Sequence, residues 1–298
     1  MVFLALASLI VPLSFFFWLT DAQGFLTNVV AEAHGTLFDL FIIGWFLMWL
    51  SRRAERAMVI RRYREQIDDF LGWKSPTASH RIALNLRRLN RAGRTSDFRL
   101  TEAYVNDARL NAVKLIRSDL WGSSFKNASL EGADLTASNL GGSNFAGAHL
   151  QHTILTSVDA RGAIFEDAGM KDAVLIKADL RGANLAGADL QRAIASEAKY
   201  EHANLERVIL RDADLTGANL RGALCRHTIF DSTILRGVDF SYTDLTGAFL
   251  DRARFDNADE AISRLSMAKS LADATLDPHI AAAIKRTRPE LFEPQDGD

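Results

Sequence analysis

The chain has 298 residues, of which 48% are hydrophobic and 24% charged, and its formal net charge is −2. This length suits one or two domains, and the near-neutral charge gives no indication of nucleic-acid binding or of an acidic partner. Cys225 is the single cysteine, which excludes an internal disulfide framework and any need for an oxidising compartment.

Two apolar runs near the N-terminus predict a transmembrane hairpin at residues 1–50. The first run, residues 2–20, has no charged residue and as a helix is long enough to cross a hydrocarbon core of about 30 Å. The second run, residues 37–50, reaches that length only if its helix starts earlier, so we expect the second span at about 30–50. Three tryptophans lie near the ends of these runs, where indole rings favour the lipid–water boundary: Trp18, Trp45 and Trp49.

A cluster of arginines after the second run predicts the orientation of the hairpin. By the positive-inside rule this flank stays in the cytoplasm, and we expect the following domain there too, at a membrane of the bacterial inner-membrane type. The first run is alternatively a cleaved signal peptide, but it lacks a basic n-region and has a poor cleavage site at residues 20–22. Both alternatives leave everything after Leu50 cytoplasmic. The membrane-surface arginines are Arg52, Arg53, Arg56, Arg61, Arg62 and Arg64.

Three ionisable residues lie close to the predicted bilayer: Glu32, His34 and Asp39. Such groups are functional candidates when they lie inside a membrane. The alternative places them at the outer interface or in the turn of the hairpin, because Gly35 and Thr36 suggest a bend.

Residues 51–98 predict a basic juxtamembrane linker that contains helical pieces. Ser75 is a candidate N-cap, Pro76 suits the first helical position, and Gly93 is a stop signal. The basic excess suits an anionic inner leaflet, or it is a solvated face needed only for topology. The apolar face of this helix consists of Ile82, Leu86 and Leu89.

A strict five-residue period occupies residues 99–259. Large apolar residues fall at numbers ending in 0 or 5, small or β-branched residues fall at numbers ending in 3 or 8, and neither position is charged. The period fits neither a helix nor a strand and predicts a solenoid in which each pentad forms one edge of a coil. We expect glycine at the turn positions, such as Gly132 and Gly147, to permit the turn between edges. The predicted core column includes Leu135, Leu140, Leu180, Leu185, Leu215 and Leu220.

This part of the chain resembles the pentapeptide-repeat family, whose pattern A(D/N)LXX is matched by ADLTA, ADLRG, ANLAG, ADLTG and ANLRG. The resemblance implies an all-β solenoid, a right-handed quadrilateral β-helix with four pentads per coil. Here the transmembrane hairpin and short linker helices would precede it, giving a membrane-anchored member. Small residues replace the central one at Ala160, Ala195 and Cys225, and Tyr200 enlarges it.

Residues 260–298 are expected to cap the far end of the solenoid, as the linker helix caps the near end. Pro278 lies near a predicted helix start, and Ile280 and Ile284 lie one turn apart. Such caps would cover apolar ends and open β-edges that otherwise invite aggregation.

No cluster of catalytic or metal-binding residues emerges when residues twenty apart are stacked. His152, Asp172, Arg192 and Asp212 form one such column, which alternates in charge as a surface ladder does. The sequence has no phosphate loop, nucleophile elbow or zinc motif. We therefore expect no enzyme activity, cofactor, metal or small-molecule substrate.

The leading interpretation is a non-enzymatic, membrane-anchored interaction scaffold, with an unidentified protein partner or self-association and no nucleic acid expected. One branch of the family mimics DNA and binds topoisomerases through a dense acidic surface. Lys199 interrupts the comparable column here, and the charges of the repeat region are nearly balanced, which argues against mimicry. That column is Asp119, Asn139, Asp159, Asp179, Lys199, Asn219, Asp239 and Asp259. A third interpretation, the cytoplasmic domain of a channel or transport assembly, has no filter sequence between the two runs to support it.

The candidate partner-binding strip lies where the outward residue before the central one is apolar instead of Asp or Asn. Asp214 interrupts it, and a neighbouring face extends it. The alternatives are that β-branched residues suit a pleated ladder or that the chain's own helices cover the strip. Its residues are Ile154, Val174, Ile194 and Ile234 on one face and Ile209, Ile229 and Phe249 on the next.

Overall fold

A computed structural model describes residues 25–294, and the side chains of residues 32–294. The chain forms two compact units, one ending at Arg62 and the other beginning at Tyr63. The first predicted span, residues 2–20, lies outside the described residues.

Helix α1 covers Phe25–Asp68 without interruption. The bend predicted at Gly35 and Thr36 is wrong, because both residues lie within α1 and the Thr36 Oγ1 donates to the Ala33 carbonyl at 3.0 Å, a bond that satisfies the hydroxyl inside a helix. A turn at Glu32, His34 and Asp39 is excluded for the same reason. The apolar side chains from residue 38 to residue 50 are exposed on this helix, and so are the six membrane-surface arginines.

Helix α2 covers Pro76–Arg91 and begins and ends as its sequence predicts. The Ser75 Oγ accepts a hydrogen bond from the Ala78 N–H at 3.2 Å, and Pro76 occupies the first turn, where no N–H partner is needed. Gly93 follows with a φ of +82°, the left-handed conformation common after helix ends. The three apolar residues predicted to share a face are fully buried: Ile82, Leu86 and Leu89.

Side chains of α2 form hydrogen bonds with the open edge of the first coil. The Asn90 Oδ1 accepts from the Lys114 N–H at 2.6 Å, and its Nδ2 donates to the Lys114 carbonyl at 3.1 Å. The Ser79 Oγ donates to the Asn106 carbonyl at 2.6 Å. These backbone groups face the side where a preceding coil would lie, so α2 supplies part of the pairing that a missing coil would provide.

The repeat region is a coil of four edges per turn. Parallel bridges run from the Ser96–Ile116 pair to the Ile234–Arg254 pair, and each of them joins residues twenty apart. Within the described residues these are isolated bridges, so the four ladders contain no continuous strand. The reason is local: each edge is only a few residues long before the chain turns.

The core is filled by the two inward residues of every pentad. All six leucines of the predicted core column are fully buried. Three phenylalanines stack along one inner edge, with ring centroids 4.8 Å apart for Phe125 and Phe145 and 5.2 Å apart for Phe145 and Phe165. Buried hydroxyls at the smaller inward position bond to backbone carbonyls; the Ser138 Oγ, for example, donates to the Leu115 carbonyl at 2.6 Å.

Every residue at a number ending in 2 or 7, from Asp97 to Arg252, has a positive φ. Glycine was expected there, but many of these residues are charged or polar, including His152 and Arg192. The turn geometry is therefore imposed by the coil and does not depend on glycine.

The solenoid does not stop at residue 259 as expected. Helix α3, Ala258–Leu265, interrupts it, and bridges from Asp244 to Ser270 and from Phe249 to Thr275 then continue the two ladders. Asp259 consequently lies in α3 and does not join the partly acidic column. Helix α4 follows at Pro278–Thr287, starting where predicted, and a 3₁₀ helix covers Pro289–Phe292.

Candidate interaction surface

The outward residue before each central one normally caps its own turn. The Asp214 Oδ1 accepts the Thr216 N–H at 2.9 Å and the Thr216 hydroxyl at 2.6 Å. The Asn184 Oδ1 likewise accepts the Ala186 N–H at 3.1 Å. An aliphatic residue cannot make this bond, so isoleucine or valine at this position forgoes a local stabilising contact.

On one face of the solenoid, three successive coils lack this turn hydrogen bond. Ile154 bridges to Val174, and Val174 bridges to Ile194, so the three side chains form one column at about 4.8 Å per coil. Ile154 is 38% exposed and Ile194 is 42% exposed, and Val174 is half-buried. We call these three residues the apolar column. Ile234 lies farther along the same face, beyond Asp214.

Sequence reasoning missed a neighbour of the apolar column. Ile176 follows the inward Leu175 and is half-buried beside Val174. The equivalent residues in the adjoining coils are uncharged, Thr156 and Ser196. The uncharged patch is therefore two outward rows wide, and ion pairs border it on both sides, Arg192–Asp172 on one and Lys177–Glu197 on the other.

The second half of the predicted strip is separate from the apolar column. Ile209, Ile229 and Phe249 do form a column of their own on the adjoining face. Between Ile229 and Ile234, however, the corner of the coil carries Asp231, which is 8% exposed.

Two arginines engage Asp231 at this corner. The Arg252 Nε and Nη2 donate to its carboxylate at 2.9 Å and 2.7 Å, and the Arg211 Nε lies 3.3 Å from it. This ion-pair cluster separates the two faces of the predicted strip near Ile229 and Ile234.

An ion-pair ladder follows the same corner toward the N-terminus. The Arg192 Nε and Nη2 donate to the Asp172 carboxylate at 2.7 Å and 2.6 Å, and the hydrogen bond from Arg192 is the main cause that lowers the pKa of Asp172. The His152 Nδ1 lies 3.9 Å from Asp172. These contacts are exposed and of the kind that contributes little per pair.

Two aspartates in the middle of the partly acidic column are neutralised by neighbouring arginines. The Arg181 Nε and Nη2 donate to the Asp179 carboxylate at 2.8 Å and 2.6 Å, and Arg161 binds Asp159 at the same two distances. Hydrogen bonding from these arginines is the largest cause that lowers the pKa of both aspartates. The face therefore does not present a row of free carboxylates.

Neither a metal-binding cluster nor an exposed thiol is found among the described residues. Within residues 25–294, no group of three or more His, Cys, Asp or Glu side chains is arranged to hold a metal ion. Cys225 is buried, and burial raises the pKa of its thiol, which keeps it protonated. Tyr200 is also buried in the core, and burial raises the pKa of its phenol.

Comparison with known proteins identifies the repeat. The sequence profile of pentapeptide repeats matches in eight copies, at residues 103–142, 128–167, 168–207, 195–224 and 233–259, which together make up half of the chain. No curated protein sequence matches significantly.

Three solved structures are reported as similar. HetL, a pentapeptide-repeat protein involved in heterocyst differentiation regulation from the cyanobacterium Nostoc sp., is 28% identical, with 57% of this chain and 93% of that chain covered and a TM-score of 0.25. Full-length QnrB1, a plasmid-mediated fluoroquinolone resistance protein, is 17% identical, with 64% and 97% covered and a TM-score of 0.25. A pentapeptide-repeat protein of the Arabidopsis thaliana thylakoid lumen is 29% identical, with 42% and 75% covered and a TM-score of 0.21.

Proposed function

Because this chain belongs to the pentapeptide-repeat family, whose fold is a right-handed β-helix, we propose that it is a membrane-anchored scaffold that presents its solenoid to a protein partner in the cytoplasm. Members of this family are typically structural or interaction proteins, not enzymes. A solenoid offers long, regular faces to a partner. In this solenoid the faces differ in sequence, because one of them carries the apolar column.

The observation that carries the proposal is the apolar column. Ile154, Val174 and Ile194 replace residues that elsewhere cap the turn, and two of them are more than a third exposed. Single exposed apolar residues are normal on a protein surface, whereas a contiguous uncharged patch marks an interaction site. At three successive coils the chain lacks the turn hydrogen bond, and the apolar side chains there would gain contacts with a bound partner.

The anchoring half of the proposal is supported by α1. Residues Glu32–Asp68 of this helix are long and apolar enough to cross a membrane, and none of the most apolar window is buried. A core helix of a soluble protein would be mostly buried, and the apolar region of a signal peptide is only about 7–15 residues long. The arginines that follow on the same helix suit a cytoplasmic flank.

The test replaces Val174 and Ile194 with aspartate in the full-length protein, purified in mild detergent. Aspartate restores the turn cap seen at Asp214, so we expect an unchanged circular dichroism spectrum and melting temperature. Association should fall, measured as copurification of the partner from the native membrane and as dimer formation in light scattering.

A matched control replaces Ile164 and Leu224 with aspartate. These residues occupy the equivalent outward position on the opposite face, between Asn144 and Asn184 and between Asn204 and Asp244. The control has the same charge change and should leave association unaltered. Equal association in all three proteins would show that the apolar column is only a β-branched ladder.

A further inference from the structure

A cleft between α2 and the first coil of the solenoid gathers cationic side chains that have no partner. Its volume is about 460 Å³, and its lining includes His80 and Arg87 from α2 and Tyr104, Asp107 and Arg109 from the coil. Within the described residues, no hydrogen bond or ion pair engages the side chain of Arg87 or Arg109. Along the solenoid, in contrast, many arginines are paired with a neighbouring carboxylate.

The acidic residue in the cleft does not neutralise these cations. Asp107 accepts a hydrogen bond from the Asn127 Nδ2 at 3.3 Å, and it is the one carboxylate among the lining residues. Two guanidinium groups, an imidazole and a phenol therefore face a single carboxylate. Guanidinium groups match the geometry of a phosphate and bind it through paired N–H donors.

Helix α2, which forms one wall of the cleft, has a composition that suits an anionic membrane surface. Helix α2 contains no aspartate or glutamate, and its exposed side includes Arg81, Arg88 and Arg91. Trp73, just before the helix, is 62% exposed. Arginine with exposed tryptophan is the composition that favours the headgroup region of an anionic bilayer.

We propose that this cleft binds the phosphate of an anionic lipid headgroup and so seats the capped end of the solenoid on the bilayer. The proposal rests on the membrane anchoring proposed above and adds a specific lipid contact that anchoring by α1 does not require. It also gives α2 a second role besides closing the open edge of the first coil.

The experiment uses the full-length protein in nanodiscs of phosphatidylcholine alone or with phosphatidylglycerol. Hydrogen–deuterium exchange of residues 76–110 is expected to slow several-fold in the anionic discs. The Arg87→Gln/Arg109→Gln variant should lose this slowing. The control Arg207→Gln/Arg236→Gln has the same charge change on exposed residues distant from the cleft in the solenoid and should keep it. Unchanged exchange in residues 120–250 checks the fold of both variants.

Each other outcome overturns the proposal in an identifiable way. Equal exchange of the native protein in the two discs excludes the lipid contact, while a continued need for detergent on extraction leaves the anchoring by α1 intact. Loss of slowing in both variants shows a general charge effect instead of a site. Slowing by inorganic phosphate in phosphatidylcholine discs assigns the cleft to a soluble anion instead of a lipid.

Discussion

Each turn residue of the solenoid is held in a conformation that most residues avoid. Arg192 has a φ of +56°, and a left-handed conformation costs a non-glycine residue about 1–2 kcal/mol. Its N–H donates to the Arg211 carbonyl of the next coil at 3.0 Å. This pairing recurs in every coil. Its hydrogen bonds offset the conformational cost of the positive φ, which the preferences of these residues alone would disfavour.

Leu180 and Arg181 test the division between inward and outward positions. Leu180 is fully buried, so Leu180→Ala should lower the free energy of unfolding by about 2–5 kcal/mol, and Leu180→Glu should prevent folding because its carboxylate would have no partner. Arg181→Gln removes an exposed ion pair and should change stability by at most about 1 kcal/mol. Denaturant unfolding in detergent, followed by circular dichroism, measures all three. If Leu180→Ala and Arg181→Gln lowered the free energy of unfolding by similar amounts, the assignment of Leu180 as inward and Arg181 as outward would be contradicted.

Asp244 should make stability depend on acid pH. Burial acts to raise its pKa, but hydrogen bonds from Thr246 and Arg226 outweigh burial and hold the pKa below its ordinary value of 3.8. A carboxylate with a lowered folded-state pKa stabilises the fold above the unfolded pKa, and this contribution is lost as the pH falls through the folded value. Asp244→Asn should therefore lower the free energy of unfolding at pH 7, and the difference from the native protein should shrink below pH 3.8.

Asp167→Asn is the matched control for this titration. Asp167 is exposed, and asparagine tolerates the positive φ at this turn position. We expect little change in the free energy of unfolding, because this side chain is exposed. An Asp244→Asn difference that stayed constant from pH 7 to pH 3 would contradict the assigned ion pair.

The five-residue period was sufficient to predict the inward residues but not how the outer surface is divided. Apolar spacing specifies burial directly, because a charge at an inward position has no partner. The separation of Ile229 from Ile234 depends on arginines from two coils meeting at Asp231, and such contacts depend on rotamers that a one-dimensional pattern does not contain.

At the scale of an element, the Asn90 side chain makes the two hydrogen bonds that a neighbouring coil would make. Its amide accepts from the N–H of Lys114 and donates to the carbonyl of the same residue, so one side chain satisfies both groups that an absent coil would pair. Open edges of this kind otherwise recruit other chains.

Asn90→Leu should remove both bonds and lower the free energy of unfolding by about 1–2 kcal/mol, the usual cost of unsatisfied backbone groups that water partly reaches. Asn90→Asp keeps the acceptor for the Lys114 N–H and should show a smaller loss. Amide hydrogen exchange at Lys114 provides the local measurement. Unchanged protection of this amide in Asn90→Leu would show that the side chain does not close the edge.

Helix ends were predictable where a cap and a proline coincide, and a helix was missed where the repeat pattern continued into it. Ser75 with Pro76 gave the start of α2 correctly. Ala258 and Asp259 fit the repeat and concealed α3, although Asn257 and Glu260 have capping-box spacing. The Asn257 Oδ1 accepts the Glu260 N–H at 2.9 Å, and the Glu260 Oε2 accepts the Asp256 N–H at 2.8 Å.

At the scale of the whole molecule, anchoring and orientation are tested together. Reporter fusions placed after Ser51 and after Asp298 should both report a cytoplasmic location, because the arginines after Leu50 oppose translocation. Extraction should require detergent and resist high salt, since salt weakens only the electrostatic part of membrane binding. A full-length protein found in the soluble fraction would contradict the anchor.

Bridges that join residues twenty apart also restrict how this protein can change in length. Insertion or loss of twenty residues adds or removes one complete turn, and every later side chain keeps its face. Insertion or loss of five residues shifts all later side chains to an adjacent face; without residues 156–160, for example, Val174 would stack on His149. Duplication in whole turns is therefore the path along which such a gene can lengthen its product while preserving a binding surface already in use.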